Sequence, residues 1–105
     1  MGAIEILRII HFDRHRHVLG IAEYCGDAVR VAMPMREIIG EALRLGSAGL
    51  LLSHNHPSGD PTPSRADIDV TGRLIRTAEA LDIRVHDHLI LGWKRHVSFR
   101  ALGLI

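Results

Sequence analysis

The sequence has little cysteine, few aromatic residues and no long apolar run. Its single cysteine, Cys25, excludes an internal disulfide and a zinc cage built from cysteines. The longest strongly apolar run, residues 48–52, is far too short to cross a bilayer. The first residues do not show a basic segment followed by an apolar core, so a secretory signal is not predicted and a reducing cytoplasm is the expected location.

The sequence also lacks an excess of either charge, because it has 13 lysines and arginines and 12 aspartates and glutamates. A net charge of +1 excludes the global positive field that holds nucleic acid to many binding domains. The 105 residues, 47% of them hydrophobic, suffice to bury one core, and we predict a single domain over residues 1–105. What the chain does have in excess is histidine, with eight residues grouped in clusters.

Hydrophobic periodicity predicts an α/β domain. Stretches that are apolar or alternate apolar with polar residues predict six strands, at residues 4–12, 18–25, 28–33, 49–53, 83–91 and 96–99. A period of 3.6 residues predicts two helices, at residues 35–45 and 64–81. The leucine run at 49–53 is typical of a strand buried on both faces, so we expect a mixed sheet flanked by helices, with a helix on each face.

Two histidines follow directly after that predicted buried strand. At the carboxyl edge of such a sheet ligands commonly bind. His54 and His56 lie two residues apart on an extended backbone, so both side chains point to one side. A catalytic zinc takes three protein ligands, commonly imidazoles and a carboxylate. Asp67, in the first turn of the second predicted helix, is the expected third ligand, and Asp60 in the loop competes with it.

The same residues also fit a purely structural role. Ser64 and Asp67 have the spacing of a helix-capping pair, and an acidic residue is favourable at a helix N-terminus without any metal. A His-x-His pair alone is common. The motifs of thermolysin-type proteases and of zinc deaminases are absent from the sequence. Spacing alone therefore leaves metal binding and capping open as alternatives.

Metal-dependent hydrolysis also needs a carboxylate that takes a proton from the metal-bound water. Glu23 is the predicted general base, because it interrupts an otherwise apolar strand, where an acid lies either on a solvent face or in a site. Glu5, on the first predicted strand, is the alternative.

Several separated motifs resemble one known family. One spacing resembles the signature of the JAB/MPN+ (JAMM) metalloprotease domain. It consists of His54-x-His56, then Ser64 after seven intervening residues, then Asp67 after two more. Two runs resemble the RadC family, the bacterial JAB branch associated with DNA repair, namely Ser-His-Asn-His-Pro-Ser-Gly-Asp-Pro-Thr-Pro-Ser at 53–64 and His-Asp-His-Leu-Ile at 86–90. The similarity covers nearly the whole chain.

This resemblance implies a JAB/MPN fold similar to that of cytidine deaminases, in three layers with a mixed sheet between helices. It implies a zinc-dependent hydrolase that cleaves a peptide or isopeptide bond in a peptide or protein substrate. His54, His56 and Asp67 would hold the zinc ion, Ser64 would stabilise the oxyanion, and Glu23 would be the general acid/base.

The alternative function is a non-enzymatic module with a structural metal site that binds DNA or a repair protein. RadC-like proteins usually carry a helix-hairpin-helix region ahead of this domain, and this sequence starts at the first strand, which weakens the expectation of DNA contact. The basic turn at residues 14–17 is expected to be solvated rather than to contact phosphates. An exposed sheet edge would allow a homodimer.

Another His-x-His pair lies near the end of the chain. On a regular strand His86 and His88 would share one face, with Asp87 on the other. We expect this pair to support the structure rather than to bind the metal directly, and a role in orienting metal ligands is the functional alternative.

Overall fold

The computed structural model describes residues 4–26 and 33–105. Within these residues the strands are Ile6–Phe12 (β1), Val18–Cys25 (β2), Gly49–Asn55 (β3), Arg84–Leu91 (β4) and His96–Ser98 (β5). The helices are Met35–Leu45 (α1) and Arg65–Glu79 (α2). The strands form one sheet in the order β2-β1-β3-β4-β5, in which β3 and β4 are parallel and the other neighbours are antiparallel. The predicted mixed α/β sheet is confirmed. The strand predicted at 28–33 lies, apart from Met33, outside the described residues.

Local signals explain where the helices begin and end. Pro34 precedes α1, and Gly46 follows it in the left-handed region, with φ 70°, where a residue without a side chain is least strained. The helix α2 begins after Ser64, whose side chain and that of Asp67 form a reciprocal capping box. The capping role considered for this pair is therefore present in the structure.

The core lies on one side of the sheet, here called the helix face. Its strand residues are Leu7, Ile9, Leu50, Leu52 and Val85, and the helix residues packed in the same cluster are Ile38, Ala42, Leu74 and Ala78. Because residues of both helices belong to this cluster, both helices pack on the helix face. Burial of each leucine or isoleucine in it contributes roughly 1.5–3 kcal/mol to the free energy of folding.

This layering differs from the expected helix on each face. In the described residues the other side of the sheet, here called the open face, carries neither helix. Strand residues on it, such as Arg8 and Leu51, are exposed or partly exposed. The leucine run of β3 is thus buried on the helix face and only partly covered on the open face. A continuous apolar run does not distinguish these two cases.

A β-bulge in β4 changes the direction of its histidines. Leu50 pairs with Val85 and Leu51 with Asp87, so His86 is the extra residue in β4. His86 contacts Phe12 on the open face, whereas His88 is buried on the helix face. The prediction that the two histidines share a face was therefore wrong, because it assumed regular alternation.

The bulge has a matching glycine on β3. A Cβ atom at Gly49 would overlap the His86 ring. The close approach of His86 to the backbone of β3 therefore requires glycine at this position.

No helix among the described residues combines the length and apolar character needed to cross a membrane.

Candidate metal centre

His54 is the penultimate residue of β3, and its side chain lies on the helix face. Its cross-strand partners are Leu7 on β1 and Ile90 on β4, and only 3% of the residue is exposed. Burial lowers the pKa of His54 to about 4, with the neighbouring Asp67 carboxylate opposing this effect. The ring is therefore neutral at pH 7, with one nitrogen that donates and one that accepts.

His56 lies just beyond the strand, where the loop turns back. Its backbone N–H donates to the Leu91 carbonyl, at 3.0 Å, which holds the loop against β4. Its Nδ1 lies 2.8 Å from the carbonyl oxygen of Asp60. Because a carbonyl oxygen only accepts, Nδ1 carries the hydrogen, and Nε2 presents a lone pair whenever the ring is neutral.

Asp67 is brought to these rings by the start of α2. Its Oδ2 accepts from the backbone N–H of Ser64 at 2.9 Å, and its own N–H donates to Ser64 Oγ at 3.0 Å. Burial raises the pKa of Asp67, but the hydrogen bonds from Ser64 and the adjacent His54 outweigh it and leave the pKa below its usual value. The capping box thus holds an ionised carboxylate over the end of β3.

The three side chains form a cluster of potential metal ligands. One potential ligand atom from each of His54, His56 and Asp67 lies within 4.8 Å of the others. His56 Nε2 is 3.2 Å from Asp67 Oδ2, and His54 Nε2 is 3.7 Å from Asp67 Oδ1. Among the described residues, the buried His54 Nε2 has no hydrogen-bond partner. Lone pairs that converge in this way fit a cation, and two imidazoles with a carboxylate are a donor set that zinc takes.

Asp60, the competing ligand, is used elsewhere. Its Oδ1 accepts from the N–H and the hydroxyl of Thr62, at 3.0 and 2.7 Å, and lies 3.7 Å from Arg95. The side chain is exposed and organises the loop, while its backbone carbonyl orients His56.

Glu23 does not reach this cluster. On β2 it is the cross-strand partner of Arg8, with which it forms an exposed ion pair. Arg8 in turn pairs with Ser53, the residue before His54, so Glu23 points to the open face. The predicted role as general base is incompatible with this position, and the solvent-face alternative applies instead.

Glu5, the alternative base, lies on the correct side. It is 7% exposed and precedes Leu7, the cross-strand partner of His54, by two residues. Continuing the β1–β3 register by two residues places Glu5 opposite His56. The Asn55 side chain holds this segment, since it accepts from the Ile6 N–H at 2.7 Å and donates to the carbonyl on the other side of Glu5 at 3.0 Å.

Ser64 stands at the mouth of the site and is exposed. Its Oγ accepts the Asp67 N–H. A hydroxyl has one hydrogen to donate beside its acceptor lone pairs, so the cap leaves that hydrogen available.

A further histidine, His88, contacts the cluster, and the sequence offered this role for it only as the alternative to a structural one. His88 is 1% exposed, and its Nε2 lies 2.7 Å from His54 Nδ1. Its Nδ1 lies 2.8 Å from Thr71 Oγ1, and its ring stacks on Phe99 with centroids 4.5 Å apart. Burial lowers the pKa of His88 to about 3. A histidine on the strand next to that of His54 is a sequence signal for such a contact. The sequence does not show the bulge, however, and the bulge determines which of His86 and His88 lies on the side of His54.

The open face carries a different charged feature, a cleft of about 360 Å³ here called the arginine cleft. Its lining residues are Phe12, Arg16, Leu51, Arg84, His86 and Arg100. The Nε–H of Arg100 donates to the His86 carbonyl at 2.7 Å. Within the described part of the chain, Arg16 and Arg84 form no ion pair with a carboxylate.

The fold and the candidate metal-binding residues agree with one known class of domain. The RadC-like JAB domain model matches residues 2–104, and the chain belongs to this family. It is 44% identical over 102 residues to a UPF0758 protein of Rhodobacter capsulatus, covering 96% of this chain and 48% of that protein. It is 43% identical over 102 residues to a UPF0758 protein of Ruegeria pomeroyi, covering 96% of this chain and 46% of that protein. The chain thus spans about half the length of the curated relatives it matches.

Proposed function

We propose that this domain is a zinc-dependent hydrolase of the JAMM type that cleaves a peptide or isopeptide amide bond. The observation that carries the proposal is the convergence of His54, His56 and Asp67, whose potential ligand atoms lie within 4.8 Å of one another, while the buried His54 Nε2 has no hydrogen-bond partner in the described residues. Membership of the RadC-like JAB family supports the same chemistry. When bound there, zinc supplies a Lewis acid that lowers the pKa of a coordinated water to about 7.

The remaining steps belong to residues of the chain. Glu5, which replaces Glu23 in this role, takes the proton of the attacking water and passes it to the leaving amine. The Ser64 hydroxyl donates to the oxygen that becomes negative as the carbonyl is attacked. The capping box keeps Asp67 ionised, so one of the three proposed ligands carries a negative charge that attracts the metal.

Metal content and a matched pair of glutamate variants test this proposal. We expect one zinc per chain in protein purified without chelator. Glu5→Gln should lower hydrolysis by about 10²–10⁴-fold, the usual contribution of a general base, and retain the zinc. Glu23→Gln, on the open face, should leave both unchanged. The assay uses a panel of fluorogenic amides with peptide and lysine isopeptide bonds. A metal-free purified protein, or full activity in Glu5→Gln, would refute the proposal.

A second function is favoured by the arginine cleft. Three arginines around an apolar floor, two of them without an ion-pair partner in the described residues, form a local positive field that fits phosphate groups of DNA. Arg84→Gln should weaken binding of a duplex oligonucleotide and lower the slope of log affinity against log salt by about 1. Arg73→Gln, on the exposed side of α2, is the control. Binding that is absent at low salt would exclude this function.

A further inference from the structure

A chain of three buried side chains leads from the metal centre into the core. His54 Nδ1 is 2.7 Å from His88 Nε2, and His88 Nδ1 is 2.8 Å from Thr71 Oγ1. His54, His88 and Thr71 are 3%, 1% and 1% exposed, so water does not compete for these hydrogen bonds. The hydrogen positions along this chain are therefore coupled to one another.

Only two arrangements of hydrogens satisfy the chain when both rings are neutral. If the shared hydrogen belongs to His88, then His54 carries its own hydrogen on Nε2 and cannot be a metal ligand through that atom. If the shared hydrogen belongs to His54 Nδ1, the lone pair of Nε2 faces Asp67 and His56. His88 Nδ1 then donates to the Thr71 hydroxyl oxygen, which can accept it.

We propose that His88 is a positioning residue that holds His54 in the tautomer able to bind the metal. It does so by accepting the hydrogen bond from His54 Nδ1–H. This inference rests on the proposed zinc site. Metal-binding histidines usually donate a hydrogen bond from their second ring N–H to a carboxylate, a carbonyl or water, and here an imidazole nitrogen is the acceptor. Stacking on Phe99, with an interplanar angle of 23°, fixes the plane of the accepting ring.

The choice of acceptor has an electrostatic consequence. A neutral imidazole orients His54 without adding a second negative charge, so Asp67 alone among the three proposed ligands carries charge. Asp87, next to His88 in sequence, points elsewhere, since its carboxylate accepts from Ser98 Oγ at 2.6 Å and from the Arg100 N–H at 3.0 Å.

Zinc affinity, measured by competition with a chromophoric chelator, tests the role directly. His88→Phe keeps an aromatic ring against Phe99 and removes the acceptor, and we expect it to weaken zinc binding by about 10–100-fold. His88→Gln places a carbonyl oxygen near the former Nε2 and should recover part of this loss. His86→Phe, two residues away on the open face, should bind zinc with wild-type affinity. A merely structural His88 would lower thermal stability in these variants without this order of affinities.

A second measurement uses the wild-type protein and does not depend on the folding of any variant. In ¹⁵N-histidine spectra of the zinc-loaded protein, we expect the His88 hydrogen on Nδ1 and the His54 hydrogen on Nδ1. A hydrogen on His88 Nε2 in the loaded protein, or wild-type zinc affinity in folded His88→Phe, would overturn the inference and leave the zinc site intact. A wild-type protein that binds no zinc would overturn the inference and the proposed function together.

Discussion

Of the three His-x-His pairs in the chain, the two that follow or lie on neighbouring strands β3 and β4 have opposite structural results. His54 and His56 lie side by side, with ring centroids 4.9 Å apart, and converge on Asp67. His86 and His88 are separated by the sheet itself, because the bulge at His86 reverses the alternation of β4. Equal spacing in sequence therefore predicts a shared site only where the strand pairing is regular.

The two sides of the sheet also favour ligands of opposite charge. On the helix face, the potential ligand atoms of His54, His56 and Asp67 lie close together, and the buried His54 Nε2 has no hydrogen-bond partner in the described residues, which favours a cation. On the open face, Arg16 and Arg84 lie beside His86 with no carboxylate partner in the described residues, which favours an anion. Burial, together with these arginines and Arg100, lowers the pKa of His86. A histidine therefore takes its role from the charges around it.

The largest expected effect separates the two histidine pairs. His56→Ala removes a proposed ligand and should weaken zinc binding by more than about 100-fold, beyond the effect of losing an outer-shell partner. His86→Ala should leave zinc binding unchanged, because its side chain lies on the other side of the sheet. Metal content after dialysis, with circular dichroism as the control for folding, measures both. Zinc loss in His86→Ala would show that the two sides are not independent.

An intermediate effect is expected from pH on the metal-free protein. His54 and His88 have folded-state pKa values of about 4 and about 3, below the ordinary value of 6.5. Between pH 6.5 and 4 the unfolded chain thus binds protons that the folded chain does not. The unfolding free energy should fall as the pH drops through this window, by up to about 1 kcal/mol per pH unit for each ring.

Urea denaturation at pH 7, 6 and 5 measures this slope. His88→Gln, which lacks one of the two rings, should show a shallower slope than the wild type by the contribution of one ring. Equal slopes in the two proteins would mean that His88 is protonated to the same extent in the folded and unfolded states.

The smallest expected effects are changes in folding stability that test the bulge. Alanine substitutions at two glycines form a matched pair for this test. Gly49→Ala places a Cβ atom against the His86 ring and should cost about 1–3 kcal/mol of stability. Gly40→Ala, on the exposed side of α1 with no heavy atom within 4 Å of the new Cβ, should stabilise the protein by about 0.5–1 kcal/mol. Urea denaturation compares them, and zinc affinity should change in neither. A neutral Gly49→Ala would mean that His86 has room to move.

The elements near the site were largely predictable from the sequence. The helix predicted at 35–45 has those bounds in the structure, and the helix predicted at 64–81 is Arg65–Glu79 with Ser64 as its cap. These features depend on interactions within about one helical turn, which the sequence shows directly. The proximity of His54, His56 and Asp67 followed from the same local order of strand, loop and capped helix.

The choice between the two glutamates could not be made in this way. Glu5 and Glu23 both lie on or beside strands that contain apolar residues, and their faces depend on how β1 pairs with β2 and β3. A shift of one residue in register would exchange the two faces. The same holds for the layers, because the leucines of β3 do not tell which face the helices cover.

The sequence by itself determined the elements, the capped start of α2 and the set of residues able to bind a metal, because these follow from period, spacing and short-range hydrogen bonds. Tertiary structure alone decided that Glu5 rather than Glu23 lies on the side of the candidate metal centre, that His88 contacts His54 there, and that His86 does not. The physical reason is that strand register and a single inserted residue set the direction of every side chain along a strand, and both depend on pairing between distant segments.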